Sequence, residues 1–262
     1  MNAPSGTPQP TPAADPAEPL LRTRALTMRF GGVVAVDRVD LQVRDRELLC
    51  LIGPNGAGKS TLFNTLTGQL RPSGGSVEFL GESIAGLERH EIARRGIGIK
   101  TQVPSVFEGL SVHESVYLAV RAHDRGSSAR ARAARVEALL DELRLAPIAA
   151  HRLDALAHGQ RQWVELAMVL ATEPRLVLLD EPVAGMSDEE TARTAELVRA
   201  LRARRAVIVV EHDMRFVRDI AERVVVLHQG TVLRDGAVDE VLADERVRDV
   251  YLGRGDGDAR AA

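Results

Sequence analysis

The stretch "GPNGAGKST", Gly53–Thr61, follows the apolar run "RELLCLIG" and leads into a helical segment that extends to about Leu66. It fits the spacing G-x-x-x-x-G-K-[ST] between a strand and a helix. Successive backbone N–H groups in such a loop, with the first turn of the helix behind it, form a cradle for phosphate oxygens. Gly53, Gly56 and Gly58 let the main chain approach closely, and Pro54, Asn55 and Ala57 complete the turn. Lys59 is placed to reach the outer phosphates, Ser60 to ligate Mg2+ through its hydroxyl, and Thr61 ends the motif. A ligand-free glycine turn is the competing reading, and the strand before and helix after disfavour it. Of the 34 basic residues only Lys59 and Lys100 are lysines. A lysine kept in so arginine-biased a chain marks a position where the ammonium itself is needed.

Working outward, "RTRALTMRF", "RVDLQV", "GSVEFLG" and "GIGIKTQ" have the composition of short strands. "RLVLLDE" and "AVIVVEHD" are apolar strands without polar alternation, separated by the amphipathic "DEETARTAELVRALRARR". Such strands lie in a parallel sheet covered on both faces, so the fold class is α/β. "RVVVLHQGTVLRDG" predicts a hairpin about Gln229–Gly230. From Ser111 to Thr172 the pattern turns helical, which predicts a helical subdomain, about 104–172, inserted into the sheet. Residues 1–19 are Pro- and Ala-rich without periodicity and read as a disordered lead; 254–262 read as a flexible tail. The domain proper is expected over 20–253, and no internal repeat is visible.

The 262 residues, 45% hydrophobic and 27% charged, are those of an ordinary globular protein. A net charge of −3 argues against a nucleic-acid binder that works through bulk charge, and no nucleic-acid partner is expected. A single cysteine, Cys50, excludes an internal disulfide framework and fits a reducing compartment. No apolar run approaches the roughly 18–20 residues that span a bilayer, and no secretory signal is read at the N-terminus.

Further candidate groups fall at strand ends, the edge of an open α/β sheet where ligands bind. Asp180 is placed to hold Mg2+ or its bound water, and Glu181 to orient or deprotonate an attacking water. Gln102 after "GIGIK" and His212 after "AVIVVE" suit a γ-phosphate site, Gln102 touching Mg2+ or water and His212 the phosphate. A satisfied structural histidine is the bland alternative for His212 alone. Phe30, in "MRFGG", is a candidate to stack on a base. Trp163 at helical spacing reads as packing inside the helical subdomain, and "RALRARR" as a solvated helix face.

Together these residues resemble the ATP-binding subunits of ABC transporters, over nearly all of Leu21–Gly253. "GPNGAGKST" resembles the Walker A loop, Gln102 the Q-loop residue, "LAHGQ" the signature, "LVLLDEP" Walker B and His212 the H-loop residue. Val183–Met186 resembles the D-loop. "FGGVVAVDRVDL", "VPSVFEGLSVHESV" and the ending "VYLG" are similar to the branched-chain amino-acid and amide branch. Within it, "HGQRQW" and "DEPVAGMSDEE" resemble the urea transporter's D-type ATPase subunit.

The resemblance implies a P-loop NTPase (RecA-like) core with N-terminal antiparallel strands, and ATP and Mg2+ as cofactors. It implies Glu181 and His212 as catalytic residues. It also implies a second ATPase subunit, identical or related, whose ATP is met by the signature Ala157, His158, Gly159 and Gln160. A helix starting at Gly159 would offer its unpaired N–H groups to that anion. Membrane permease subunits, contacting the region of Gln102 and "VPSVFEGLSVHESV", and an extracytoplasmic solute-binding protein complete the expected assembly. Its place would be the cytoplasmic face of the inner membrane. Ala157 stands where the family usually has Ser, His158 where it has Gly, and Ser187 where Asp is common. A soluble ABC-type ATPase and a low-turnover regulatory nucleotide-binding module are the alternative functions.

Overall fold

The computed structural model describes residues 18–102, 109–124 and 126–252. The expected lead up to residue 17, Val103–Glu108 of the proposed permease contact, and the 254–262 tail lie outside the described residues.

The chain opens with two long antiparallel strands, β1 (Leu21–Phe30) and β2 (Val33–Val43), then β3 (Leu48–Ile52) and α1 (Lys59–Leu66). β4 (Gly74–Phe79), β5 (Glu82–Ser83), α2 (Arg89–Arg94) and β6 (Ile97–Lys100) follow. Three longer helices come next, α3 (Val112–His123), α4 (Ala129–Glu142) and α5 (His158–Leu170). The second half alternates β7 (Leu176–Asp180), α6 (Asp188–Leu201), β8 (Ala206–Val210) and α7 (Met214–Ile220). It closes with β9 (Arg223–His228), β10 (Thr231–Ala237), α8 (Val238–Ala243) and α9 (Glu245–Leu252).

Two sheets result: an antiparallel one ordered β2-β1-β4-β5, and a larger one ordered β10-β9-β3-β8-β7-β6. The larger is parallel except at the β9–β10 hairpin. Its central strands are apolar throughout because both faces are buried, and the period-2 pleat divides each strand between two cores. Cys50, Val177, Leu179, Val207 and Val209 face the helices, and Leu49, Leu51, Leu178, Ile208 and Val210 face α1 and the antiparallel sheet.

The predicted hairpin forms through a two-residue turn at Gln229 (φ 48°) and Gly230 (φ 78°), the left-handed pair such turns need. Gly230 N–H also donates to Ala57 O at 3.0 Å, so the hairpin supports the phosphate loop.

The helices between β6 and β7 fall inside the expected insert. Ser111 caps α3 reciprocally with Glu114, and Ser128 caps α4. Val116, Val120, Val136 and Leu140 pack onto α5 and join the core on the helical face of the sheet. Two expectations change. Trp163 reaches out of the insert: its indole N–H donates to Thr194 Oγ1 on α6 at 2.9 Å, and the Arg193 guanidinium lies 3.7 Å over its ring. In the arginine run, Arg205 is buried and paired with Glu142 at 3.1 Å, because it follows α6 back into the sheet. Arg199 and Arg202 stay exposed.

Candidate nucleotide and magnesium site

The phosphate loop leaves β3 at its C-terminal end and turns into α1 at Gly58, which sits at φ 101°. A side chain there would be strained by that φ and would collide with the Ala35 carbonyl oxygen, so glycine is required. The first turn of α1 carries no acidic residue and no side-chain cap, so its N–H dipoles are not answered locally by a carboxylate. Lys59, 8% exposed, folds back to donate to Gly53 O (2.7 Å) and Pro54 O (3.0 Å). Burial lowers its pKa, while Glu181 and Asp180 pull the other way. Ser60 is exposed and Thr61 half-buried on the same turn.

Across the sheet edge, β7 ends in half-buried Asp180, whose pKa is raised by burial and by Glu181 and lowered by Lys100 and Lys59. Glu181 follows at φ 45°, a left-handed conformation uncommon for a side-chain-bearing residue and frequent at functional sites. Its backbone N–H is held by Val210 O at 2.9 Å. The carboxylate lies between two expected partners: Gln102 Nε2 donates to Oε2 at 2.8 Å, and His212 Nδ1 lies 3.4 Å from Oε1. Gln102, Glu181 and His212 are thus brought together, at the same sheet edge as Asp180. Phe30, 47% exposed, ends β1.

Among the described residues no cluster of three or more His, Cys, Asp or Glu forms a metal cage. Mg2+ typically takes one or two carboxylates and completes its shell with water and substrate phosphates. Asp180, with Ser60 and Gln102, has the oxygen chemistry to hold it.

The signature differs slightly from expectation. α5 begins at His158, one residue early, with Ala157 as N-cap at ψ 160°. The Ala157 side chain has no acceptor to offer; of the reciprocal cap only the return bond forms, from Ala157 N–H to Gln160 Oε1 at 3.1 Å. Gly159 is buried, not open: a Cβ there would lie 2.6 Å from Glu190 Cδ. Glu190 is fixed in turn by Ser187, whose N–H and hydroxyl donate to Oε2 at 3.0 and 3.2 Å. Ser187 is therefore the N-cap of α6. The exposed part of the signature is Ala157 and His158.

Three buried polar residues beside the site were not singled out from the sequence as part of it. Glu211, 1% exposed at the end of β8, accepts from His212 N–H (2.9 Å), Asp213 N–H (3.3 Å) and Val183 N–H (3.4 Å). It ties the D-loop-like segment to the His212 loop. Lys100 and Gln162 are buried between β6 and α5; Lys100 carried a compositional signal through its rarity, and Gln162 carried none.

Comparison with known proteins agrees with this geometry. The ABC transporter family profile matches residues 36–184. The branched-chain amino acid transport ATP-binding protein BraF of Pseudomonas aeruginosa is 36% identical over 90% of this chain and 99% of its own length. The lipopolysaccharide export ATP-binding protein LptB of Acidithiobacillus ferridurans is 38% identical over 89% of this chain and 97% of its own. Among solved structures, the ADP conformation of the ATP-binding cassette MJ1267 superposes with a TM-score of 0.80. It is 27% identical and covers 90% of this chain and all of its own. The dimeric post-hydrolysis cassette MJ0796 with ADP and Pi gives 0.73 at 27% identity, over 83% and 98%. Family profile, near full-length relatives and shared fold lead to one conclusion: the chain belongs to the ABC transporter family, as its ATP-binding, ATP-hydrolysing subunit.

Proposed function

We propose that this subunit energises an importer for branched-chain amino acids, short amides or urea. The observation that carries its ATPase mechanism is the placement of Glu181 between Gln102 and His212 at the sheet edge. Lys59 and the backbone N–H groups of the loop 53–61, Pro54 excepted, bind and orient the triphosphate; Phe30 stacks on the base. Glu181 Oε accepts the proton of the attacking water, a contribution typically worth about 10²–10⁴ in rate. Gln102 holds the Glu181 carboxylate in place, and His212 contacts the terminal phosphate from the other side. Mg2+, held by Ser60, Asp180 and the Gln102 amide oxygen, would supply charge neutralisation on the phosphates.

The signature is proposed to act on the ATP of a second ATPase subunit, identical or related. The bond from Gln162 Nε2 to His158 Nε2 (3.2 Å) requires an unprotonated Nε2, which leaves Nδ1–H as the ring's donor. His158 is proposed to replace in this way the hydroxyl that Ala157 lacks. Permease subunits are proposed to dock beside α3, where Leu110, His113, Glu114, Tyr117 and Leu118 line an open hollow of about 380 Å³. Among the described residues no helix is long and apolar enough to cross a membrane, so such docking would hold the subunit at the inner membrane's cytoplasmic face. The choice among solutes rests on sequence likeness: the relatives above support amino acids, and "HGQRQW" with "DEPVAGMSDEE" supports urea.

Steady-state ATPase assays of Glu181→Gln against wild type test the mechanism. Turnover should fall at least about a hundredfold with ATP binding retained; equal turnover would favour the low-turnover regulatory module instead. Uptake of labelled leucine, acetamide and urea by cells with and without the gene tests the solute.

A further inference from the structure

The chain's second lysine sits where the two halves of the site meet. Lys100 ends β6 and is 2% exposed. Its ammonium donates to Gln162 Oε1 on α5 and lies 3.5 Å from Glu165 Oε2. Glu165 and Gln162 are themselves buried, at 6% and 2% exposure. An ammonium only donates, so the Gln162 atom facing it is the oxygen, and the NH2 group must point away. That NH2 donates to the Gln102 carbonyl and to His158 Nε2, each at 3.2 Å.

His158, Gln162 and Glu165 are spaced i, i+4, i+7, one stripe of α5. α5 lies close on β6 because Gly98 has no side chain: a Cβ there would meet Val169 Cγ1 at 2.7 Å. The interface is therefore tightly packed, and at the β6 end, nearest the site, it turns polar.

Building on the reading of Gln102 and Glu181 above, we propose that Lys100 is a positioning residue acting through Gln162. It fixes the Gln102 peptide to α5, so that the Gln102 contact with Glu181 and the orientation of His158 are set together. The subunit's own catalytic carboxylate and the surface it offers to a partner's nucleotide then share one polar joint. Gln102 cannot leave Glu181 through a backbone shift without breaking a bond to α5, and α5 cannot slide along β6 without disturbing Gln102.

A simple buried ion pair would predict something different, and two full-length variants separate the cases. Gln162→Leu keeps Lys100 and Glu165 but removes the bridge. Lys100→Met with Glu165→Met removes both charges, a replacement that often leaves stability unchanged or improved. In both, ATP turnover should fall by roughly tenfold or more while KM for ATP shifts less than about threefold. In Gln162→Leu, hydrogen exchange across residues 97–102 should quicken by roughly threefold or more, with α6 unchanged. Wild-type turnover in either folded variant, or unaltered exchange across 97–102 in Gln162→Leu, would overturn the proposal. Failure of the ATPase reading itself would show separately, as wild-type turnover that Glu181→Gln leaves untouched.

Discussion

Replacing Glu211 tests whether one buried carboxylate holds two functional loops. The side chain is 1% exposed and takes His212 N–H at 2.9 Å, Asp213 N–H at 3.3 Å and Val183 N–H at 3.4 Å. A hydrogen bond to a charged acceptor contributes about 1.5–3 kcal/mol, and the two longer ones less. Against this stands the desolvation of the carboxylate, which raises the Glu211 pKa and is only partly offset by those N–H groups. The net loss in Glu211→Ala should be about 3 kcal/mol, a fall in Tm of about 6–12 °C for a domain of this size. Glu211→Gln keeps acceptor capacity but no charge, and should lose less. The pH dependence adds a sign. Folded Glu211 titrates above its ordinary 4.5, so from there up to its folded pKa the native state binds more protons than the unfolded state. Its contribution to stability therefore falls as pH rises through that window. Calorimetric melts from pH 4.5 upward should show the Tm deficit of Glu211→Gln largest at the acid end and shrinking as pH increases. A Glu211→Ala variant melting within about 1 °C of wild type, or a Glu211→Gln deficit that grows with pH, would refute the assignment.

Ala157→Ser should do two separable things: cap α5, raising Tm by about 2–4 °C, and tighten ATP-dependent pairing of subunits up to about tenfold. Melting and sedimentation read them independently, and a gain in Tm without tighter pairing would remove the signature from the nucleotide. Gly159→Ala forces a methyl against Glu190, which Ser187 holds in place, and should cost about 1–3 kcal/mol. An unchanged melt would show that Glu190 swings aside freely. Trp163→Phe removes the donor to Thr194 Oγ1 and should cost about 1 kcal/mol, or about 2–4 °C in Tm by calorimetry.

The sheet and its edge were legible because strands buried on both faces must be apolar, and because the groups at their ends are polar residues with no structural reason to sit there. Asp180, Glu181, His212 and Gln102 stand out against "LVLL", "VIVV" and "IGI" for that reason. The α1 and hairpin boundaries were equally readable, since Gly58 and Gln229–Gly230 need backbone conformations few residues accept. The short helices α2, α7, α8 and α9, of six to eight residues, give too few turns for a periodic signal. The burial of Gly159 beneath Glu190 and of Arg205 beside Glu142 depends on contacts across 31 and 63 positions, which periodicity does not encode. Gln162 was hidden for a related reason: a polar residue on an otherwise apolar helix face reads as ordinary surface until its partners on another element are known.

The distribution of polar groups in the interior separates packing from positioning. Apolar contacts such as Val116 or Leu140 against α5 are non-directional, and they resist loss of volume more than small changes of angle. The polar contacts Lys100–Gln162–Gln102 and Glu211–His212–Val183 are directional, and a buried group that loses its partner is left unsatisfied. Displacing either joint therefore costs more than a comparable shift of an apolar contact. One joint flanks Glu181 on the Gln102 side and the other on the His212 side. On the role proposed for Glu181, perturbing either joint should lower kcat, whereas ATP affinity, proposed to be set by the loop at residues 53–61, should stay nearly constant.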